Sequence, residues 1–123
     1  MAYDDRNIFA KILRGEVPCK RVFENDHALA FHDINPLAPT HVLVIPKGAY
    51  VSMADFSAKA STEEIAGFFR AVGETAQRLG VVESGYRILA NSGADANQEV
   101  SHFHVHIFGG APLGPMLRRI AQV

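Results

Sequence analysis

The sequence predicts an α+β domain, and three observations carry that expectation. His102-Phe103-His104-Val105-His106-Ile107-Phe108 alternates with a period of two, the mark of a strand with one apolar and one polar face. Ile65, Phe68, Phe69, Val72, Ala76 and Leu79 recur on one helical face, after a Ser61/Glu64 capping box and before Gly80. Short runs at Arg21–Phe23 and Leu29–His32 flank the turn-forming Glu24-Asn25-Asp26, which reads as a hairpin.

The remaining elements follow in order. Asn7 caps a short helix whose apolar positions are Ile8, Phe9, Ile12 and Leu13, and Gly15 stands where a left-handed C-terminal residue is wanted. Pro18 then forces an exit. Two prolines punctuate Asn35–Pro39, and His41–Ile45 reads as a buried strand stopped by Pro46. Gly67 and Gly73 inside the long helix each cost up to about 1 kcal/mol against Ala, so close packing, or a partner subunit, is expected there. Tyr86–Ala90 is a further strand, and Asn91–Asn97 an exposed loop leading to the last one.

A length of 123 residues with 48% apolar content is expected to form one folding unit, 1–123, with no linker or repeat to divide it. Twelve Lys and Arg against thirteen Asp and Glu leave a net charge of −1, which provides no field for nucleic acid or an anionic membrane. The longest aliphatic run is Val42–Ile45, far short of the about 20 apolar residues that span a bilayer, and the N-terminus lacks the pattern of a signal peptide. The lone Cys19 excludes an internal disulfide framework and fits a reducing compartment, so a cytoplasmic location is expected.

The histidine strand carries the chemistry. A single strand histidine is ordinarily a satisfied core or surface residue, but three in register on one face are a poor choice for solubility alone. Residues two apart on a strand are about 6.6 Å apart, close enough for neighbouring rings to meet one phosphate-sized group or one metal ion. Two chemistries suit them equally on spacing. A neutral imidazole can attack phosphorus while a second ring donates to the developing negative oxygens. Alternatively two or three imidazoles bind zinc. Neither a P-loop nor a dinucleotide fingerprint is present.

His102-x-His104-x-His106, followed by Ile107-Phe108-Gly109-Gly110, resembles the signature of the histidine triad nucleotide-binding proteins. Phe31-His32-Asp33-Ile34-Asn35-Pro36, Ala38-Pro39-Thr40-His41, Val44-Ile45-Pro46-Lys47, Gly85-Tyr86-Arg87, Asn91 and Gln98-Glu99-Val100 fall in the order and spacing of that family's purine nucleoside phosphoramidase branch. The resemblance runs from about Asn7 to about Leu117.

It implies a five-stranded antiparallel sheet with a short N-terminal and a long central helix, continued across a homodimer. The tail, about 112–123 and including Arg118 and Arg119, would reach toward the partner. It also implies metal-independent hydrolysis of purine nucleoside 5′-phosphoramidates and acyl-nucleotides such as aminoacyl-AMP, releasing AMP or GMP, with no cofactor. His104 matches the nucleophile, His106 the ring on the phosphoryl oxygens, and His102 and His41 the supporting histidines. Asp33 matches the ribose-binding carboxylate, and His32 beside it is expected among the nucleotide-binding residues. Ile8, Phe9, Ile12, Val17, Phe31 and Ile34 match the apolar walls around the base. Asn91 and the Val100 main chain match phosphate contacts. Glu99 departs from relatives that carry serine and is expected to orient an amine leaving group. The alternatives are a nucleotide-binding protein-interaction module with incidental hydrolysis, and a zinc-binding histidine site.

Overall fold

The computed structural model describes residues 2–121. Asn7 caps α1 (Ile8–Leu13), its side-chain oxygen accepting the Ala10 N–H at 2.9 Å. Gly15 follows with φ +78°, as its position after the helix requires. β1 (Arg21–Glu24) and β2 (Ala28–His32) form the hairpin, and the Asn25 side-chain oxygen closes the turn by accepting N–H groups from His27 and Ala28 at 2.8 and 2.9 Å. β3 (Thr40–Pro46) pairs with β2. After α2 (Met53–Lys59) and α3 (Thr62–Arg78), β4 (Tyr86–Leu89), a 3-10 turn at Ala94–Ala96 and β5 (Val105–Gly109) complete the chain's elements.

The five strands lie in the order β1-β2-β3-β5-β4 with every neighbouring pair antiparallel, which is the sheet the sequence resemblance implies. Alternation along the strands gives the sheet two different faces. Ala28, Ala30, Val42, Val44, Val105 and Ile107 turn toward α2 and α3, where Phe56, Phe68 and Phe103 stack with ring centroids 5.0 to 5.2 Å apart. Leu29, Phe31, Leu43 and Ile45 turn the other way and gather with Phe9 of α1 and with Val100. β4 is an edge strand, and Tyr86 and Ile88 on it stay exposed.

Four features differ from the sequence reading. The last strand is shorter, because β5 begins at Val105 and not at His102. Pro46 has no N–H to continue a ladder, and its carbonyl is taken by the His102 ring at 2.8 Å; Phe103 N–H turns instead to the Tyr50 carbonyl at 2.7 Å. Phe69, expected in the core stripe, is 39% exposed and sits edge-on against Phe68. α2 is an element the sequence reading lacks, although Ser52 followed by Asp55 is a helix-start pattern and Ser52 does cap it. The two helical glycines divide: a Cβ on Gly67 would collide with the His27 ring, whereas one on Gly73 would meet nothing within 4 Å. Close packing therefore accounts for Gly67 alone.

The capping box of α3 forms as expected, Ser61 accepting from Glu64 N–H and Glu64 from Ser61 N–H. Among the described residues no helix is long and apolar enough to cross a membrane.

Candidate functional site

β3 and β5 lie side by side at the centre of the sheet, so the site is assembled from two rigid strands and the segment just before β5. His41 pairs with Phe108, and Leu43 with His106. This register brings the His41 and His106 rings to a centroid separation of 5.2 Å, with the His104 ring 5.0 Å from His106. Phe9 of α1 stands edge-on to His104 at 4.9 Å.

Hydrogen bonds fix where the protons are. His104 Nδ1 lies 2.7 Å from the His102 main-chain oxygen, which only accepts, so Nδ1 carries the hydrogen and the lone pair sits on Nε2. His41 Nδ1 accepts the Leu37 N–H at 3.1 Å, which places the His41 proton on Nε2. That Nε2–H donates to His106 Nδ1 at 2.9 Å, so His106 in turn carries its proton on Nε2. No buried side-chain nitrogen or oxygen among the described residues lacks a partner, so the Nε2 atoms of His104 and His106, which have no partner among those residues, open to solvent. A lone pair and an N–H donor thus stand on adjacent rings.

Burial keeps these rings neutral. His102 and His106 are both pushed down to about 4, chiefly by loss of solvent around the charged form. The same desolvation lowers His104 and His41, partly opposed at His104 by its bond to the His102 carbonyl and at His41 by the Asp33 carboxylate.

Asp33 Oδ2 lies 3.4 Å from His41 Nε2, while Oδ1 accepts Asn35 N–H at 2.8 Å and so closes its own turn. Asp33, His41 and His106 therefore form a cluster of metal-ligand type, a different set from the strand triplet that the sequence suggested for zinc. The donor set fits a metal poorly. The His41 Nε2 lone pair is used by its proton as long as Leu37 N–H holds Nδ1, and His106 Nδ1 is occupied by that same proton.

The other expected residues are brought together to different degrees. Phe9, Ile12 and Phe31 pack in one cluster with Val100, while Ile8 at 42% and Ile34 at 92% exposed present apolar surface to solvent and Val17 is half-buried outside that cluster. His32 ends β2 opposite Val42, exposed, and its ring joins none of the histidine contacts. Asn91 is half-buried and follows β4 by two residues, beyond the last pair of that strand, Leu89 with His106. Val100 N–H has no acceptor among the described residues. The Val100 carbonyl is held by Gln98, whose side-chain nitrogen also bonds the Val51 carbonyl at 2.7 Å and whose oxygen accepts Gly93 N–H at 3.0 Å. Glu99 is exposed and, with Val100, Ser101 and the N-terminal residues Asp4, Arg6, Asn7 and Ile8, lines a groove of about 580 Å³.

Three functional groups escaped the sequence reading. The Pro46 carbonyl and the Leu37 N–H are main-chain groups, invisible in residue identities. Gln98 was part of a motif, but its role as a three-way clamp depends on partners far away in sequence.

Residues 14–113 match the HIT domain. An uncharacterized 13.2 kDa HIT-like protein of Azospirillum brasilense is 68% identical over 117 residues, 95% of this chain and 96% of that one. The purine nucleoside phosphoramidase of Escherichia coli K12 is 40% identical over 113 residues, 92% of this chain and 94% of that one. Among solved structures, a HIT family hydrolase from Clostridium thermocellum superposes with a TM-score of 0.85 at 34% identity, covering 94% of this chain and 99% of its own. A histidine triad protein from Clostridium difficile gives 0.83 at 37% identity, covering 93% and 98%. With the family's domain matched over residues 14–113 and relatives 40% and 68% identical over most of its length, this chain belongs to the HIT domain family.

Proposed function

We propose that this protein hydrolyses purine nucleoside 5′-phosphoramidates and acyl-nucleotides, releasing AMP or GMP through a nucleotidyl-His104 intermediate and without a metal. The observation that carries the reading is the bond from His104 Nδ1–H to the His102 carbonyl, which leaves the Nε2 lone pair of a neutral ring free to attack. The purine nucleoside phosphoramidase named above supplies the substrate class.

In the first step the His104 Nε2 lone pair forms a bond to the α-phosphorus and the bond from phosphorus to the leaving nitrogen or acyl oxygen breaks. A departing nitrogen takes a proton from solvent; a departing carboxylate needs none. The adduct ring is then cationic, and the His102 carbonyl beside Nδ1–H stabilises that charge. His106 Nε2–H and Val100 N–H are available to donate to the phosphoryl oxygens as negative charge builds. In the second step water attacks phosphorus, loses a proton to solvent, and the P–N bond returns its electron pair to His104.

Asp33 has acceptor capacity left for the ribose hydroxyls, because a carboxylate accepts more than the Asn35 N–H already there. Phe9, Ile12 and Phe31, with Ile8, Val17 and Ile34 toward solvent, form the apolar side for the base. Glu99 has no hydrogen bond or ion pair among the described residues, which leaves its charge for a cationic leaving amine. His32 is assigned only as part of the chain leading to Asp33.

The homodimer reading rests on the edge strand β4 with exposed Tyr86 and Ile88, on exposed Phe69 and Val82, and on the open side of α3 at Gly73. Met116, Leu117 and Ile120 of the tail are also exposed, consistent with a tail that reaches a partner; Gln122 and Val123 lie outside the described residues. A cytoplasmic location fits the lone, half-buried Cys19. AMP release from adenosine 5′-phosphoramidate in excess EDTA, with wild type and His104→Asn side by side, tests the function. Release by wild type alone supports it, and no release by either protein rejects it.

A further inference from the structure

The N-terminal arm reaches the histidine site through a chain of hydrogen bonds whose directions are all fixed. The Ala10 N–H can only donate, so it identifies Asn7 Oδ1 as the acceptor and turns Asn7 Nδ2 toward the Tyr3 hydroxyl, 3.0 Å away. At the other end the Pro46 carbonyl can only accept, so His102 carries its proton on Nε2 and its Nδ1 is a bare lone pair. Tyr3 Oη sits 2.6 Å from that Nδ1. The hydroxyl therefore accepts from Asn7 and spends its single hydrogen on His102.

His102 is the residue whose main-chain oxygen holds His104 Nδ1–H. Its ring is almost fully buried, gripped on one nitrogen by β3 and on the other by Tyr3, and the Tyr3 ring stands edge-on to it at 5.6 Å. Asn7, the other partner of the Tyr3 hydroxyl, is the cap of α1, which carries Phe9 against His104. One tyrosine thus joins the helix on the base side to the carbonyl that orients the attacking ring.

We propose that Tyr3 is a positioning residue for His104: its hydroxyl fixes the His102 ring, and with it the His102 carbonyl that aims the His104 Nε2 lone pair. The same bond docks the arm whose residues Asp4, Arg6, Asn7 and Ile8 line the groove together with Glu99. A shift of His102 by a fraction of an ångström changes the direction of attack, which is where positioning acts on rate. The catalytic consequence rests on the phosphoramidase reading; the hydrogen-bond consequence does not.

Tyr3→Phe removes the hydroxyl and keeps the ring. Long-range proton–nitrogen spectra of the imidazoles should show wild-type His102 as the Nε2–H form with Nδ1 at a hydrogen-bonded position. In Tyr3→Phe that Nδ1 resonance should move to the free-acceptor position, and the Nδ1–H resonance of His104 should move with it. Loss of one neutral hydrogen bond predicts a fall in kcat on adenosine 5′-phosphoramidate of about three- to tenfold, with KM unchanged. Tyr3→Leu, which also removes the edge-on contact, should lower kcat further in the same direction. Two results would overturn the proposal. One is a His102 Nδ1 or His104 Nδ1–H resonance that Tyr3→Phe does not move. The other is a variant that loses thermal stability but keeps kcat. Should wild type release no AMP, the phosphoramidase reading falls, and the His104 resonance alone then decides whether Tyr3 positions that ring.

Discussion

The His104 Nδ1–H points at the main-chain oxygen of His102, 2.7 Å away, so a residue two positions upstream sets the tautomer of the ring proposed to attack. The accepting atom belongs to the backbone, so a change of the His102 side chain, which Pro46 and Tyr3 hold, displaces that carbonyl without removing it, whereas a change of His104 removes the attacking nitrogen of the proposed reaction. His104→Asn should lower kcat by about 10³-fold or more, since the attacking nitrogen is gone. His106→Ala, which removes one donor to the phosphoryl oxygens, should cost about 10²- to 10³-fold. His102→Ala should cost less than either. Steady-state rates on adenosine 5′-phosphoramidate check the ranking.

Acid should weaken the fold through the same rings. His102 and His106 titrate near 4 in the folded protein, below the ordinary histidine value of about 6.5 expected when unfolded. Between those values the unfolded chain binds more protons, so stability rises with pH across that window and its histidine contribution levels off above about 6.5. Denaturant midpoints measured across the window should fall as pH falls from about 6.5 toward 4, and a His106→Gln variant should show a shallower slope.

Much of the fold was legible because its signals are local. The Asn7 cap, the Ser61/Glu64 box, the turn at Asn25 and the alternation from Val105 onward each depend on residues within a few positions of one another, and each formed. The strand break before Val105 was not legible, since it depends on Pro46, 56 residues from the His102 ring that takes its carbonyl. Phe69 kept the helical period of the core stripe, but the sheet is covered by Phe68 and Val72 and leaves it outside. In the site, the period of two identified His104 and His106, whereas the proton positions depend on Leu37 N–H and the His102 carbonyl, groups that every residue possesses. Tyr3 lies 99 residues from His102, and nothing in its neighbours' identities announces the contact.

Glu99 should govern the choice of leaving group. Its carboxylate is exposed, so its interaction with a cationic amine is of surface strength, up to about 1 kcal/mol or roughly fivefold in rate. Glu99→Ser is expected to lower kcat/KM on a phosphoramidate with a cationic side chain on its amine by up to about fivefold relative to a neutral one. Equal relative rates in the two proteins would remove Glu99 from that role.

The exposed residues of β4 should be covered in solution. Sedimentation of the wild-type protein is expected to give twice the chain mass, and Ile88→Lys, which puts a charge on the edge strand, should yield monomer at the same concentration. A wild-type monomer would contradict the assembly.

The central claim is the covalent intermediate on His104. Turnover of adenosine 5′-phosphoramidate quenched rapidly into base, which preserves a phosphorus–nitrogen bond to imidazole, followed by peptide mass mapping, reads it directly. The expected result is one adenylyl group on the peptide that contains His104, localised to that residue by fragmentation and absent from His104→Asn. Steady release of AMP with His104 unmodified, or an adenylyl group on another residue, would contradict it.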